Sequence, residues 1–136
     1  MPSDSFLRQD ARLTVTRVLP STTVAVQSAA IDLGSAALLN SMAGIMCDVV
    51  LDVPATTTAT GQTLTFVVQD SADGVSFAQI PSLNALTLTG ASGATAATTR
   101  IWRLPPTVRR YIRLSCTASA TAGDQSNFTA TLQIKT

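Results

Sequence analysis

The side chains that could do chemistry in this sequence are aspartates and cysteines, because the chain contains no histidine and no glutamate. Those two residue types supply most general acid–base chemistry near neutral pH. What remains is eight aspartates, eight arginines, one lysine and two cysteines in a background rich in Thr, Ala, Ser and Val. We therefore expect a protein that folds and binds a partner, and not an enzyme.

Asp48 and Asp52 lie on the same side of a predicted strand, which raises the question of an acid–base pair. Four residues of extended strand span about 13 Å. That distance exceeds the roughly 5–9.5 Å between the paired carboxyl groups of glycosidases. Aspartates on the solvent face of a strand are therefore the favoured interpretation.

The segment Asp70–Gly74 reads Asp-Ser-Ala-Asp-Gly and could bind calcium, which prefers about six to eight oxygen ligands. Two carboxylates without an Asp-x-Asp-x-Asp run fall short of that number. A hairpin turn stabilised by an aspartate side chain is favoured instead. No metal site is predicted.

Cys47 and Cys116 fall at core-facing positions of predicted strands. Neither has a histidine partner or Cys-x-x-Cys spacing, so a nucleophile or metal ligand is not predicted. Buried inert thiols are favoured, and a disulfide between the two is the minority alternative because a cytosolic protein keeps its thiols reduced. We expect no cofactor.

The single concentration of charge places five of the eight arginines within fourteen residues, together with Trp102 and Tyr111. Arginine, Trp and Tyr are the residue types enriched at protein–protein hot spots. A solvated strand face, whose arginines pair with scattered aspartates, is an equally good interpretation. Nucleic acid stacked on the two rings is a weaker third, since the formal net charge is only +1. The five arginines are Arg100, Arg103, Arg109, Arg110 and Arg113.

Apolar and polar residues alternate over short segments, which predicts the strands that position these side chains. Turn signals such as Asp73-Gly74 separate the strands, and the low-complexity residues 90–98 predict an exposed loop. Helical spacing is confined to Leu38, Leu39 and Met42. The sequence predicts an all-β sandwich or barrel. Its strands are predicted at residues 11–18, 23–33, 45–53, 63–71, 75–80, 83–89, 99–104, 108–118 and 127–135.

Charged residues make up only 12% of the 136 residues, about half the usual share for a soluble domain. An exterior of Thr, Ser, Ala and Gln suggests that other chains cover part of it. No stretch approaches about 18 uninterrupted apolar residues, so no membrane span is expected. The first residues lack the order of a secretion signal, so no export is expected.

Four segments resemble, in order along the chain, a known family. They are residues 6–14 (FLRQDARLT), 28–34 (SAAIDLG), 71–77 (SADGVSF) and 110–114 (RYIRL). Together they are similar to the jelly-roll capsid cement (decoration) proteins of tailed double-stranded DNA bacteriophages. The resemblance covers nearly the whole chain.

The resemblance implies a jelly roll of about eight or nine strands over residues 11–136, after an N-terminal arm over residues 1–10. It implies a homo-dimer or homo-trimer that binds the outer surface of the major capsid protein shell. The protein would be made in the host bacterial cytoplasm and reside in the virion, with no catalytic residues. The predicted contact residues are the arm (Phe6, Leu7, Arg8) and an arginine–aromatic cluster (Trp102, Arg103, Arg109, Tyr111, Arg113). We also expect Arg109 and Arg113 to tolerate exchange for Glu without loss of the fold.

The alternative is a carbohydrate- or receptor-binding sandwich from a phage tail or a cell surface. Such modules usually present aromatic platforms, whereas this chain has one Trp, one Tyr and four Phe. Most of the Phe residues fall on inward-facing positions of the predicted strands.

Overall fold

The computed structural model describes residues 13–34 and 47–135, and within them the chain forms ten strands. Every pairing between these strands is antiparallel, which confirms the all-β prediction. No helix in the described residues is long and apolar enough to cross a membrane. The strands are β1 (Thr14–Val18), β2 (Val26–Gln27), β3 (Ile31–Asp32), β4 (Asp48–Val53), β5 (Thr63–Ser71), β6 (Ala78–Gln79), β7 (Leu86–Thr89), β8 (Thr98–Arg103), β9 (Tyr111–Ala118) and β10 (Thr129–Lys135).

The strands form two sheets. The first sheet has the order β1-β10-β4-β8, and the second has β9 and β5 at its centre, with β2 and β3 on one side and β6 and β7 on the other. The first half of the chain pairs with the second half as in one long antiparallel hairpin. The four nested pairings are β1 with β10, β2/β3 with β9, β4 with β8, and β5 with β6/β7. The pairings of β10 with β4 and of β9 with β5 roll that hairpin into a sandwich. This strand order is that of a jelly roll.

The hydrophobic core lies between the sheets, and core-facing residues alternate along each strand as the pleat requires. In β10, Ala130, Leu132 and Ile134 are 0–2% exposed, while the intervening residues face outward. Leu132 lies opposite Val15 on one neighbouring strand and Leu51 on the other. The second sheet contributes fully buried residues from its two central strands, Leu64, Phe66, Val68, Ile112, Leu114 and Cys116.

The predicted strand over residues 23–33 is interrupted by a β-bulge. Strand β2 pairs with residues 115–116 and β3 pairs with residues 111–112, so three residues between them oppose two of β9. The buried Ser28 hydroxyl accepts a hydrogen bond from the Leu114 N–H at 2.9 Å, and the Ser28 N–H donates to the Leu114 carbonyl at 2.8 Å. Those bonds satisfy the backbone where the ladder is broken.

The hairpin predicted at Asp73-Gly74 is present, and its return strand is shorter than predicted. Gly74 has a φ of +77°, and β6 pairs with the end of β5. The Asp73 Oδ1 accepts hydrogen bonds from the N–H groups of Val75 and Ser76 at 2.8 and 3.0 Å. Because these N–H groups are held in the turn, the return strand begins only at Ala78.

Four loops that connect the two sheets are joined by backbone hydrogen bonds at one end of the sandwich, which we call the loop end. They are residues 19–25, 54–62, 90–97 and 119–128. Among them, residues 91–94 are exposed as predicted, but Gly90 and Thr95 are buried. The Thr95 hydroxyl lies 2.6 Å from the Thr56 hydroxyl. The low-complexity segment is therefore only partly an exposed loop, because its flanking residues fix it to the loop between β4 and β5.

Gly90 tests that packing directly. A Cβ at this position would lie 2.5 Å from the Thr58 carbonyl oxygen, which is backbone and cannot move aside. We predict that Gly90→Ala lowers the free energy of unfolding by about 3 kcal/mol. Gly93→Ala is the control, because a Cβ there has nothing within 4 Å and its φ of +74° alone should cost about 1 kcal/mol. Equal losses in urea unfolding would contradict the close packing of Gly90.

Candidate protein-interaction site

The arginine–aromatic cluster predicted from the sequence is not one surface in the structure. Trp102 and Arg103 end β8 in the first sheet, whereas Tyr111 and Arg113 begin β9 in the second sheet. Arg109 lies in the loop that connects the two sheets. Side chains that are close in sequence are therefore distributed over two outer faces and the end of the sandwich.

Trp102 belongs to the core side of the first sheet. It lies opposite Val49 in register and is 9% exposed. The Arg100 guanidinium lies 5.9 Å from the centre of its ring. The indole Nε1 is buried and has no hydrogen-bond partner within the described residues. Trp102 thus contributes packing to the core and presents little surface to a partner.

The two aspartates of β4 face outward, as the sequence predicts. Asp48 Oδ1 accepts a hydrogen bond from Arg103 Nε at 3.0 Å, and the side chains of the pair are 42% and 56% exposed. Asp52 Oδ1 accepts the hydroxyl of Thr99 at 2.6 Å. Each carboxylate has its own partner at an opposite end of the strand. An exposed ion pair such as Arg103–Asp48 contributes little to stability.

Arg109 forms a clamp with the nearly buried Asp70, whose side chain is 9% exposed. Its Nε and Nη2 donate to Asp70 Oδ1 at 3.0 and 2.8 Å, and Nη2 also donates to the Asp70 carbonyl at 2.8 Å. The backbone N–H of Arg109 donates to Asp70 Oδ2 at 3.0 Å. These hydrogen bonds raise the pKa of the Arg109 guanidinium. The structure argues against the expectation that Glu is tolerated here, because a second carboxylate would lie against Asp70.

The outer face of the second sheet carries two arginines that stack on aromatic rings. Arg110 Nε and Nη2 donate to the two carboxylate oxygens of Asp32 at 2.8 and 3.0 Å. Its guanidinium lies 5.1 Å from the centre of the Tyr111 ring. Arg113 lies 4.0 Å from the centre of the Phe77 ring. We call these five residues the stacked-arginine surface.

The register of the second sheet explains this arrangement. Tyr111 and Arg113 alternate with core residues of β9, and they lie opposite Ser71 and Gln69 of β5. The Tyr111 ring lies 3.5 Å from where a Cβ of Gly74 would be, so the hairpin turn packs against the ring. A Cβ at this position would make an ordinary van der Waals contact with the ring, so the φ of +77°, and not the space, favours glycine here.

Sequence reasoning missed Phe77 and Asp32 as members of this surface. Asp32 lies in the predicted strand over residues 23–33, and nothing in the sequence indicates that it pairs with Arg110, 78 residues later in the chain. Phe77 precedes β6. Its side chain lies on the outer face because Gln79, two residues later, pairs with the outward-facing Gln69. That register depends on the length of the hairpin turn, which the sequence pattern did not give.

Backbone and arginine contacts lower the pKa values of the surface carboxylates. The Arg110 guanidinium and the Gly34 N–H lower the pKa of Asp32 to about 2. The N–H groups of Ser76 and Val75 lower the pKa of Asp73 to about 2. Both carboxylates are therefore ionised at any pH above about 4.

The cysteines are buried thiols, as favoured from the sequence, and no disulfide joins Cys47 to Cys116 in the described part of the chain. Burial raises the pKa of Cys116 to about 12, and burial together with the charge of Asp48 raises the pKa of Cys47. Both thiols stay protonated at neutral pH, which makes them poor nucleophiles. Across residues 13–34 and 47–135, no group of three or more His, Cys, Asp or Glu side chains could hold a metal ion.

An open groove of about 340 Å³ lies on the outer face of the first sheet, near the loop end. Its polar groups are one carboxylate and several threonine hydroxyls. Neither a cation nor an aromatic ring is among the lining side chains, which are Asp52, Val53, Pro54, Ala97, Thr98, Thr99, Thr129 and Thr131.

The predicted contact residues of the N-terminal arm, Phe6, Leu7 and Arg8, lie outside the described residues. The same is true of Leu38, Leu39 and Met42, where helical spacing occurs in the sequence. The predictions for both segments therefore stay predictions.

Comparisons with known proteins give one family and a fold relationship. Residues 18–131 match the model of a protein family described as Bbp16. No curated protein matches the sequence. The crystal structure of PBSX exported protein XepA aligns with a TM-score of 0.56 and 15% identity, over 89% of this chain and 37% of XepA. This chain thus spans little more than a third of XepA, and the similarity supports the sandwich fold alone.

Two further solved structures align at lower similarity. Dimeric latent PorU from Porphyromonas gingivalis gives a TM-score of 0.45 and 11% identity, over 90% of this chain and 12% of PorU. Murine APRIL gives a TM-score of 0.39 and 8% identity, over 88% of this chain and 97% of APRIL. Neither similarity supports an inference about function.

The different roles of Arg109 and Arg113 can be separated by thermal unfolding. Arg109→Gln leaves the nearly buried Asp70 carboxylate without its cation, so we predict that Tm falls by at least about 5 °C. Arg113→Gln removes an arginine from the same strand region but leaves no buried charge unpaired, so its Tm should fall by only about 2 °C. Equal Tm values for the two variants would contradict the structural role of Arg109.

Acid sensitivity follows from the lowered pKa values of Asp32 and Asp73. Because the folded state stabilises both ionised carboxylates, their contribution is complete above about pH 4 and is lost as the pH falls towards about 2. We predict that Tm decreases across this interval. The Asp32→Asn/Asp73→Asn double variant should show a smaller decrease over the same interval. Parallel Tm–pH curves for the variant and the unmodified protein would count against these two groups.

Proposed function

The chain belongs to the Bbp16 family, and we propose that it is a structural virion protein, a decoration subunit on the outer surface of a tailed-phage head. Its partner is the shell of the major capsid protein, and it associates with further copies of itself. It acts by bridging shell subunits, without a catalytic step, a cofactor, a membrane or a specific nucleic acid. The family match supports the coarser statement that this is a phage-associated structural protein, and the similarity to XepA supports its β-sandwich fold.

The observation that carries the proposal is the position, in the structure, of the four segments that resemble the cement proteins. Two of the four, residues 28–34 and 71–77, both contact a third, residues 110–114, at the same end of the second sheet. Asp32 is bonded to Arg110, and Arg113 stacks on Phe77. The resemblance therefore corresponds to one continuous surface, and this surface has the Arg and Tyr composition of protein–protein hot spots.

Bridging explains how such a protein can stabilise a shell with modest contacts. Once one contact forms, a second contact to a neighbouring shell subunit is effectively intramolecular, so the apparent affinity rises without stronger bonds. A subunit that binds only the mature lattice stabilises that lattice by mass action. The shell can then better resist the pressure of packaged DNA.

The test is co-sedimentation of the purified protein with empty phage heads. We expect saturable binding to expanded heads, no binding to the unexpanded precursor, and a higher disruption temperature for the decorated heads. Heads that already carry a full complement of decoration protein serve as the control and should take up no more. Failure to bind expanded heads would overturn the proposal, and retention on a glycan array would then identify a carbohydrate-binding module.

A further inference from the structure

One arginine of the stacked-arginine surface differs from the rest in what it contacts. Resting on the function proposed above, we propose that Arg113 is the anchor of the capsid-binding surface, and that it binds a carboxylate of the major capsid protein. The side chain is half-buried on the central strand β9 and faces outward from the second sheet. It is therefore accessible to a partner that docks on this face.

Arg113 is held in place by two neighbours that do not neutralise it. The Phe77 ring supports the flat side of the guanidinium at 4.0 Å, and Gln69 Oε1 accepts a hydrogen bond from Nε at 2.8 Å. The terminal Nη groups have no hydrogen-bond partner among the described residues. A planar guanidinium fixed in this way loses little conformational entropy when it binds, and its free edge fits a carboxylate.

The other arginines of residues 103–110, which precede Arg113 in the sequence, already have carboxylate partners. Arg103 is bonded to Asp48, Arg109 to Asp70 and Arg110 to Asp32, each with an N–O distance of 3.0 Å or less. Asp73, the other acidic residue of this end, accepts the N–H groups of its own turn. Arg113 is thus the arginine of this surface without a carboxylate partner among the described residues, and a negative group on the partner would supply one.

The surroundings of Arg113 favour a single carboxylate over a nucleic acid. Tyr111 lies on the same strand face, two residues away, and Val75 in the adjacent turn is 81% exposed. Apolar groups around a charged contact exclude water from it, which strengthens the contact. Binding to a phosphate backbone instead requires several uncompensated cations in a row, and the arginines next to this site, Arg109 and Arg110, are paired with aspartates.

The experiment measures the apparent Kd of labelled protein on empty expanded heads, which contain no DNA. Arg113→Gln should weaken binding at least about tenfold and reduce its salt dependence. Arg113→Lys retains the charge but loses the stacked planar geometry, so it should restore only part of the affinity. Phe77→Leu should also weaken binding. Lys135→Gln, on the outer face of the first sheet, removes one positive charge elsewhere and should bind as the unmodified protein does.

A second arm identifies the partner group. Amidation of the head carboxylates with a carbodiimide and glycinamide should weaken binding of the unmodified protein to about the level of Arg113→Gln. The Arg113→Gln variant itself should lose little more. An equal further loss in the variant would overturn the assignment of a carboxylate to Arg113. Tm measurements on every variant separate lost contacts from lost folding.

The outcomes distinguish this inference from the function on which it rests. If the unmodified protein fails to bind expanded heads, the proposed function is wrong. If it binds and folded Arg113→Gln binds equally well, the anchor is wrong and the proposed function stands. Binding to double-stranded DNA that disappears in Arg113→Gln would identify a phosphate partner and overturn the carboxylate.

Discussion

The antiparallel pairing of β5 with β9 is the contact on which the rest of the structure depends. It extends over eight register positions, from Leu64 opposite Ala118 to Ser71 opposite Tyr111. Its inner side supplies the largest buried residues of the second sheet, and its outer side sets Gln69 beside Arg113. Where the pairing ends, the Arg109–Asp70 clamp fixes the incoming chain. The same register thus determines both the core and the candidate interaction surface.

Much of the local structure could be predicted from the sequence, whereas the assembly of the surface could not. Alternation identifies strands such as Thr129–Lys135 because one face of each strand is buried. Strand pairing joins residues that are far apart in the chain. The alternation of apolar and polar residues therefore does not show that β1 pairs with β10. The predicted arginine–aromatic residues are spread over two sheets for a related reason, and their role as contacts stays a prediction. Arg103 and Arg113 are separated by a loop that changes sheets, so proximity in sequence did not become proximity in space.

The edges of the sheets bear on how copies of this protein can associate. On the edge strands of the first sheet, Arg17 and Arg100 lie opposite the core residues Ala130 and Leu51 in register, and Arg17 is half-buried whereas Arg100 is exposed. Charged side chains pointing inward at an edge discourage the addition of another strand. The edge strands of the second sheet are only two to four residues long. Association through sheet faces and loops is therefore favoured over extension of a sheet.

The decoration of a shell in many copies, as proposed above, requires that each subunit binds without repelling its neighbours. In the described residues three arginines are paired with aspartates, and the formal net charge is +1, so adjacent copies would repel one another weakly. In the proposed complex, the Arg113 guanidinium would orient each subunit, because a carboxylate contact is directional and is strengthened by the apolar groups around it. The threonine-rich outer faces add hydrogen-bonding groups without adding charge. A low net charge would thus limit repulsion between copies, while the fixed Arg113 would set the orientation of each copy.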